Sequence, residues 1–224
     1  MLMRRMVWAG LLLALCGGLP ACKLVKNDTA AVGAASGAAA DPYAASAYDP
    51  IAAVAKEWDA KVVPDIAKRA TDFKLLRDAV AADADAAGQK YGYRDKTSGG
   101  PWNFPTKLRG TIVSVDTSSS EGTIGVDTSG SGKPDVIVDI GPTVLGTALR
   151  DSLDFVSFSD FKNQIDYARF GTALNAYAVE HVMKTLPRDG LKGKTITVTG
   201  TFSYDGTSDQ PEVVPVAIAL EKAQ

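Results

Sequence analysis

The hydrophobic pattern changes character along the chain. Val7 to Leu15 is an unbroken apolar run, and residues 24–48 are rich in Ala, Gly and Ser with few large apolar side chains. Beyond them the apolar positions take up a helical period. Ile51, Val54, Ala55, Trp58 and Val62 mark one helical face, opened by Asp49 as N-cap and Pro50 at the first helical position. Pro64 should end or kink that helix. A second helix is expected after Asp72, with Phe73, Leu76 and Val80 inward, and a short third one over residues 84–91. Gly92 and the Ser98-Gly99-Gly100-Pro101 turn close the region. From Thr106 the period becomes two, the signature of half-buried strands. Strands are expected over residues 106–116, 123–126, 136–140, 195–204 and 213–220, with a helix over residues 171–186.

Three strands, a helix and two strands is the connectivity of the OB-fold, a partly open five-stranded barrel with its helix between strands three and four. The expected class is therefore α+β: N-terminal helices packed on a five-stranded OB-like β-barrel. A small α+β sheet of other topology is the alternative.

The N-terminus reads as an export signal. Arg4 and Arg5 precede the apolar run, which is too short for the roughly 20 residues that span a bilayer. Gly17, Gly18 and Pro20 break any continuing helix. Leu19-Pro20-Ala21-Cys22 looks like a bacterial lipobox, aliphatic three residues before the cysteine and small just before it. Cys16 competes poorly, because bulky Leu15 precedes it. The expected organisation is a signal peptide at 1–21, then a lipidated Cys22 and flexible tether at 22–48. A helical segment at 49–105 follows, then the barrel at 106–224, the two forming one globular domain. Diacylglycerol and a further fatty-acyl chain such as palmitate on Cys22 would make the lipid bilayer a stable partner, since two chains hold where one is marginal. Lys23 at the next position, in place of Asp, resembles the pattern that sorts lipoproteins to the outer membrane. A tether of this length reaches on the order of 25–30 Å.

Composition narrows the classes. Hydrophobic residues are 46% and charged residues 22%, ordinary for a globular domain. Formal net charge is −2, and removing residues 1–21, which hold Arg4 and Arg5 and no acid, leaves −4. That balance argues against nucleic acid as a partner, because phosphate binding needs clustered Lys and Arg. The only cysteines are Cys16 and Cys22, so the mature domain has no internal disulfide, no cysteine nucleophile and no thiolate metal site.

Ile140-Gly141-Pro142, Gly146 to Asp151 and Phe158-Ser159-Asp160-Phe161-Lys162-Asn163-Gln164-Ile165-Asp166-Tyr167-Ala168 form a distinctive stretch. It resembles the bacterial family of predicted periplasmic lipoproteins known as domain of unknown function 2291. Trp58 to Pro64 and Gly100-Pro101-Trp102-Asn103-Phe104 fit the same family. The resemblance implies a lipoprotein of unassigned biochemistry associated with sugar-uptake systems, and it brings no catalytic residue.

Candidate chemistry centres on the connection before the helix. Arg150, Asp151, Asp160, Asn163, Gln164 and Tyr167 sit among Phe155, Phe158, Phe161 and Ile165. Aromatic walls with a few hydrogen-bonding groups suit a small polar ligand, and Arg150 suits a carboxylate or phosphate. The plainer and favoured reading is a structural network, with Arg150 paired to Asp151 or Asp160. Asp127, Ser129, Ser131 and Asp135 have some of the spacing of a calcium loop, but Val138 stands at the twelfth position, so a hairpin turn is favoured. His181 is the only histidine and has no nucleophile elbow to serve. Asp151, Asp160 and Asp166 are candidates for carboxylate-pair hydrolysis of glycans, with no spacing that fixes their separation. Trp58 reads as core, and Trp102 as a clamp between helices and barrel. No cofactor motif is present. The leading expectation is a non-enzymatic binding or accessory module for a small polar ligand or a transport-system protein. A glycan hydrolase and a structural envelope protein are the competing classes.

Overall fold

The computed structural model describes residues 47–95, 99–206 and 210–221. The lipobox, Cys22, Lys23, most of the tether and Ser98 lie outside the described residues. Tyr48, at the end of the expected tether, meets Phe161 edge-on at 5.8 Å.

Helix α1 spans Pro50–Glu57, and Asp49 caps it by accepting from the Ile51 and Ala52 N–H groups at 3.0 and 3.1 Å. Pro64 does not end this helix. A π-helical turn, Trp58–Val62, intervenes, and the Val63 N–H reaches back to the Trp58 carbonyl. Helix α2, Val63–Arg69, then carries Pro64 in its first turn, where the N–H that proline lacks would have no acceptor within α2. Asp72 caps α3 (Phe73–Ala82) and Asp83 caps α4 (Ala84–Tyr91).

The strands are β1 (Thr71–Asp72), β2 (Trp102–Asp116), β3 (Thr123–Asp127), β4 (Val136–Asp139), β5 (Thr195–Tyr204) and β6 (Glu212–Leu220). β2 pairs antiparallel with β3 and β5, β3 with β4, and β5 with β6. β4 and β6 run parallel, meeting through Ile137↔Glu212 and Val138↔Val213, which nearly closes the ring. β1 adds to β2 in parallel. β2 begins at Trp102, earlier than the pattern implied. Pro105 hid that start, yet there β2 has β5 alone as strand neighbour, so alternate N–H groups go unused and proline is tolerated.

Two cores follow from this arrangement. Leu108, Ile112, Ile124, Val126, Val138, Ile196, Val198 and Val213 fill the barrel, and Phe73 and Leu76 of α3 pack onto that cluster. The second core lies outside the barrel wall. Val54, Trp58, Val62 and Ile66 meet Leu149 and Leu153, together with Phe170, Leu174 and Met183, against Val214 and Val216 of β6. Leu149 belongs to the short helix α5 (Ala148–Asp151), and Phe170 and Leu174 to α6 (Gln164–His181). α6 starts well before the expected Gly171, because Asn163 caps it by accepting from the Asp166 N–H at 2.9 Å.

Trp102 does join helices to barrel. Its Nε1 donates to Asp85 of α4 at 2.9 Å, and its indole lies directly against Gly88.

Candidate functional site

α5 is only one turn long and is held in place from several sides. Leu149 and Leu153 are buried beneath it, the Ser152 hydroxyl bonds to the Ala148 carbonyl and to Thr201 of β5, and Arg69 donates to the Ser152 carbonyl. Asn175 of α6 donates to the Val144 and Gly146 carbonyls, at 3.4 and 3.0 Å, fixing the chain that leads into α5. Arg150 and Asp151 are thus carried on a braced turn.

Arg150 lays its guanidinium 3.9 Å from the centre of the Tyr167 ring. Its Nε donates to Asp151 Oδ1 at 2.7 Å, and the Tyr167 hydroxyl donates to the same oxygen at 3.3 Å. The Thr147 hydroxyl takes the other oxygen, Oδ2, at 2.5 Å. The Arg150 side chain is only 12% exposed. Burial raises the Tyr167 hydroxyl above its ordinary range, opposed by the Arg150 charge and reinforced by that of Asp151. This assembly forms part of a cleft of about 520 Å³. Tyr93, Arg94, Asn103 and Phe158 contribute to the same walls, with Gln164 and Tyr167 from α6. The volume lies in the usual range for a small-molecule site.

The expected residues therefore divide. Arg150, Asp151, Gln164 and Tyr167 share the cleft. Asp160 instead closes a capping box with Ser157, its carboxylate accepting from the Ser157 N–H at 2.8 Å, and Asn163 caps α6. Asp166 is buried with neither oxygen hydrogen-bonded, 3.9 Å from Arg169. Of the three carboxylates considered for glycan hydrolysis, Asp151 alone lines the cleft. The expected pairing of Arg150 with Asp151 is present, and it coexists with a place on the cleft wall.

The calcium-loop candidates are engaged within their own turn. Asp127 accepts from the N–H groups of Ser129, Gly130, Ser131 and Gly132 and from the Ser129 hydroxyl. Burial acts to raise its pKa, but these bonds, that from Gly132 foremost, outweigh it and bring the group down to about 2. Asp135 accepts from Thr128 and from Arg77, and Ser131 bonds to Lys133. An acceptor surrounded by N–H donors faces the wrong chemistry for a cation. Among the described residues no group of three or more His, Cys, Asp or Glu is placed to hold a metal ion. His181 stacks on Tyr177 at 3.9 Å, and Tyr177 packs in turn on Trp58.

A second cleft, of about 290 Å³, lies where β4 meets β6. Asp139 and Glu212 both line it, and Asp139 is 3% exposed. Burial raises the Asp139 pKa to about 9, helped by a hydrogen bond with Glu212 and by the charges of Glu212 and Glu121. The pair therefore holds on to a proton above the ordinary carboxylate range. Nothing local in the sequence marks this pair, because the parallel seam alone brings it together.

A family model described as predicted periplasmic lipoprotein, domain of unknown function 2291, matches residues 12–219. The chain belongs to that family. The match runs from the apolar N-terminal run through the whole barrel of the lipoprotein. The fold is similar to that of a solved OB-fold protein from Thermotoga maritima, with a TM-score of 0.64 and 17% identity over 79% of this chain and all of that one. At that identity the likeness shows the fold alone, and it agrees with the ring of strands in the lipoprotein. No curated protein matches the chain.

Proposed function

We propose that this lipoprotein is a membrane-tethered binding module that takes a small polar ligand into the cleft beside Arg150, without chemical conversion. The observation that carries the reading is the pre-set Arg150: it is stacked on Tyr167, bonded to Asp151 and mostly buried, yet it lines a cleft of ligand size. Holding the guanidinium in place before binding lowers the ordering cost that a free arginine would incur. Acylation of Cys22 anchors the module, and Lys23 supports the outer membrane as its location. Service to a solute-uptake system is the role suggested by the family resemblance.

The test is a thermal-shift screen of the protein against sugars, sugar phosphates and amino acids, repeated with Arg150→Ala. A ligand at a hundred times its dissociation constant adds about 2.7 kcal/mol. A stabilising hit lost in the variant supports the module, whereas a hit unaffected by the variant moves the site elsewhere. For the anchor, Cys22→Ala should leave the precursor unprocessed and free of labelled palmitate. Normal labelling of that variant would refute acylation at Cys22.

One observation favours a second reading, an enzyme using the Asp139–Glu212 pair as a carboxyl dyad. Paired groups with displaced pKa values are what acid–base chemistry needs. Glycan hydrolysis abolished by Asp139→Asn but retained by Arg150→Ala would favour the enzyme over the module.

A further inference from the structure

The Arg150 cleft holds a second arginine. Arg94 lies on its wall, brought there by the backbone bridge between Tyr93 and Asn103, whose N–H and carbonyl groups exchange bonds of 2.8 and 2.9 Å. The Arg94 guanidinium sits 4.0 Å from the centre of the Trp102 ring, so both arginines of the cleft are laid on aromatic faces. Such stacking orients a guanidinium while leaving its N–H edge available for hydrogen bonds.

The acids nearby do not offset this equally. Asp151 is used for positioning, its oxygens accepting from Arg150, Tyr167 and Thr147. Asp85 lies 3.9 Å from Arg94, at the long end of an ion pair, and its Oδ1 is already the acceptor for Trp102 Nε1. Asp85 is also largely exposed, and such pairs contribute little. Asp95 lines the cleft too and has an interaction of its own. Phe158, half exposed, adds an apolar wall beside the two cations.

We propose that the cleft selects ligands bearing an oxyanion, a carboxylate or a phosphate on a compact ring-sized body, held jointly by Arg94 and Arg150. This rests on the ligand-binding reading above. Arginine matches both oxyanions through paired N–H donors, and two guanidinium groups in one cleft discriminate against the neutral counterpart of the same ligand. The anion has two chemical sources, a free small molecule or an anionic lipid headgroup from the membrane to which the protein is tethered.

The experiment is calorimetric titration of the full chain in neutral detergent with glucose 6-phosphate, glucuronate, glucose and inorganic phosphate, for the wild type, Arg94→Ala and Arg94→Lys. Glucose 6-phosphate or glucuronate should bind and glucose should not. Arg94→Ala should weaken binding on the order of tenfold or more, and Arg94→Lys less, with both variants still folding cooperatively, because Arg94 is outside both cores and its removal costs only the stack on Trp102. Competition by phosphatidylglycerol vesicles would identify the anion as a headgroup, and its absence would identify a free ligand; either result supports the oxyanion. Equal binding of glucose and glucose 6-phosphate, indifferent to Arg94→Ala, would overturn the oxyanion proposal and leave the ligand module standing. Silence toward every probe would overturn both.

Discussion

Asp139 and Glu212, remote in sequence, line one cleft at the parallel seam that closes the barrel. The burial of Asp139 makes this a stability relationship with a definite sign. In the folded chain it keeps its proton up to about 9, whereas in the unfolded chain it ionises near the usual carboxylate value of about 3.9. Its contribution is fully present at low pH and is lost as pH rises toward 9. The loss approaches about 1.4 kcal/mol per pH unit for one proton. Asp139→Asn keeps a donor toward Glu212 and removes the titration. The variant should flatten the fall in unfolding free energy between pH 6 and pH 9 and melt higher than the wild type at the alkaline end. Parallel profiles for the two proteins would contradict the assignment.

The contrast between this pair and the helix starts marks what the sequence made readable. Asp49-Pro50, Asp72 and Asp83 cap helices because a side-chain oxygen and the N–H groups it satisfies lie within three residues, so the information is local. The alternation in Leu108, Ile112, Ile196 and Val198 was readable for the same reason, and the order of strands supplied the barrel. The π turn just before Pro64 could not be read, because no local pattern announces it. At the site, Arg150, Asp151 and Tyr167 could be found because they are close in sequence. Arg94 could not, since only the Tyr93–Asn103 bridge carries it to the cleft. Asp160 and Asn163 looked like ligand groups, but their neighbours' backbone N–H groups had first claim on them.

Gly88 supports the clamp between α4 and β2. A Cβ there would stand 2.1 Å from Cδ2 of Trp102, a ring held by its bond to Asp85 and by Arg94 above it. Alanine normally favours a helix over glycine, so propensity alone would make Gly88→Ala stabilising. The overlap is too deep for that gain to matter. Gly88→Ala should destabilise by about 1–3 kcal/mol, read as a lower urea midpoint. A variant as stable as the wild type would mean that Trp102 is not seated there.

Asp127 makes the opposite pH prediction to Asp139. Its folded pKa of about 2 lies below the usual value, so its contribution is present above the ordinary carboxylate range and is lost as pH falls through 2. Asp127→Ala removes the acceptor for four backbone N–H groups and should lower the melting temperature at neutral pH, with the difference shrinking in acid. Millimolar calcium should leave the wild-type melting temperature where it was. A calcium-dependent rise abolished by Asp127→Ala would restore the cation-loop reading.

Gly171 tests whether the position of Arg150 matters apart from its charge. It lies in α6 beneath the arginine, and a Cβ there would come within 3.3 Å of Arg150 Cδ and 3.4 Å of Nη1. These contacts are tight but they meet a side chain, which can shift by a few tenths of an ångström. The cost to the fold is offset by the gain from replacing a helical glycine, about 0.5–1 kcal/mol. Gly171→Ala should therefore keep its melting temperature within a few degrees of the wild type while shifting the guanidinium slightly from its seat on the Tyr167 ring. If a pre-set guanidinium carries recognition, any ligand found by the thermal-shift screen should bind the variant several-fold more weakly, though every charge in the cleft is unchanged. Unaltered affinity with a displaced arginine in a crystal structure would mean that the cleft recognises charge alone and that the Tyr167 stack is incidental.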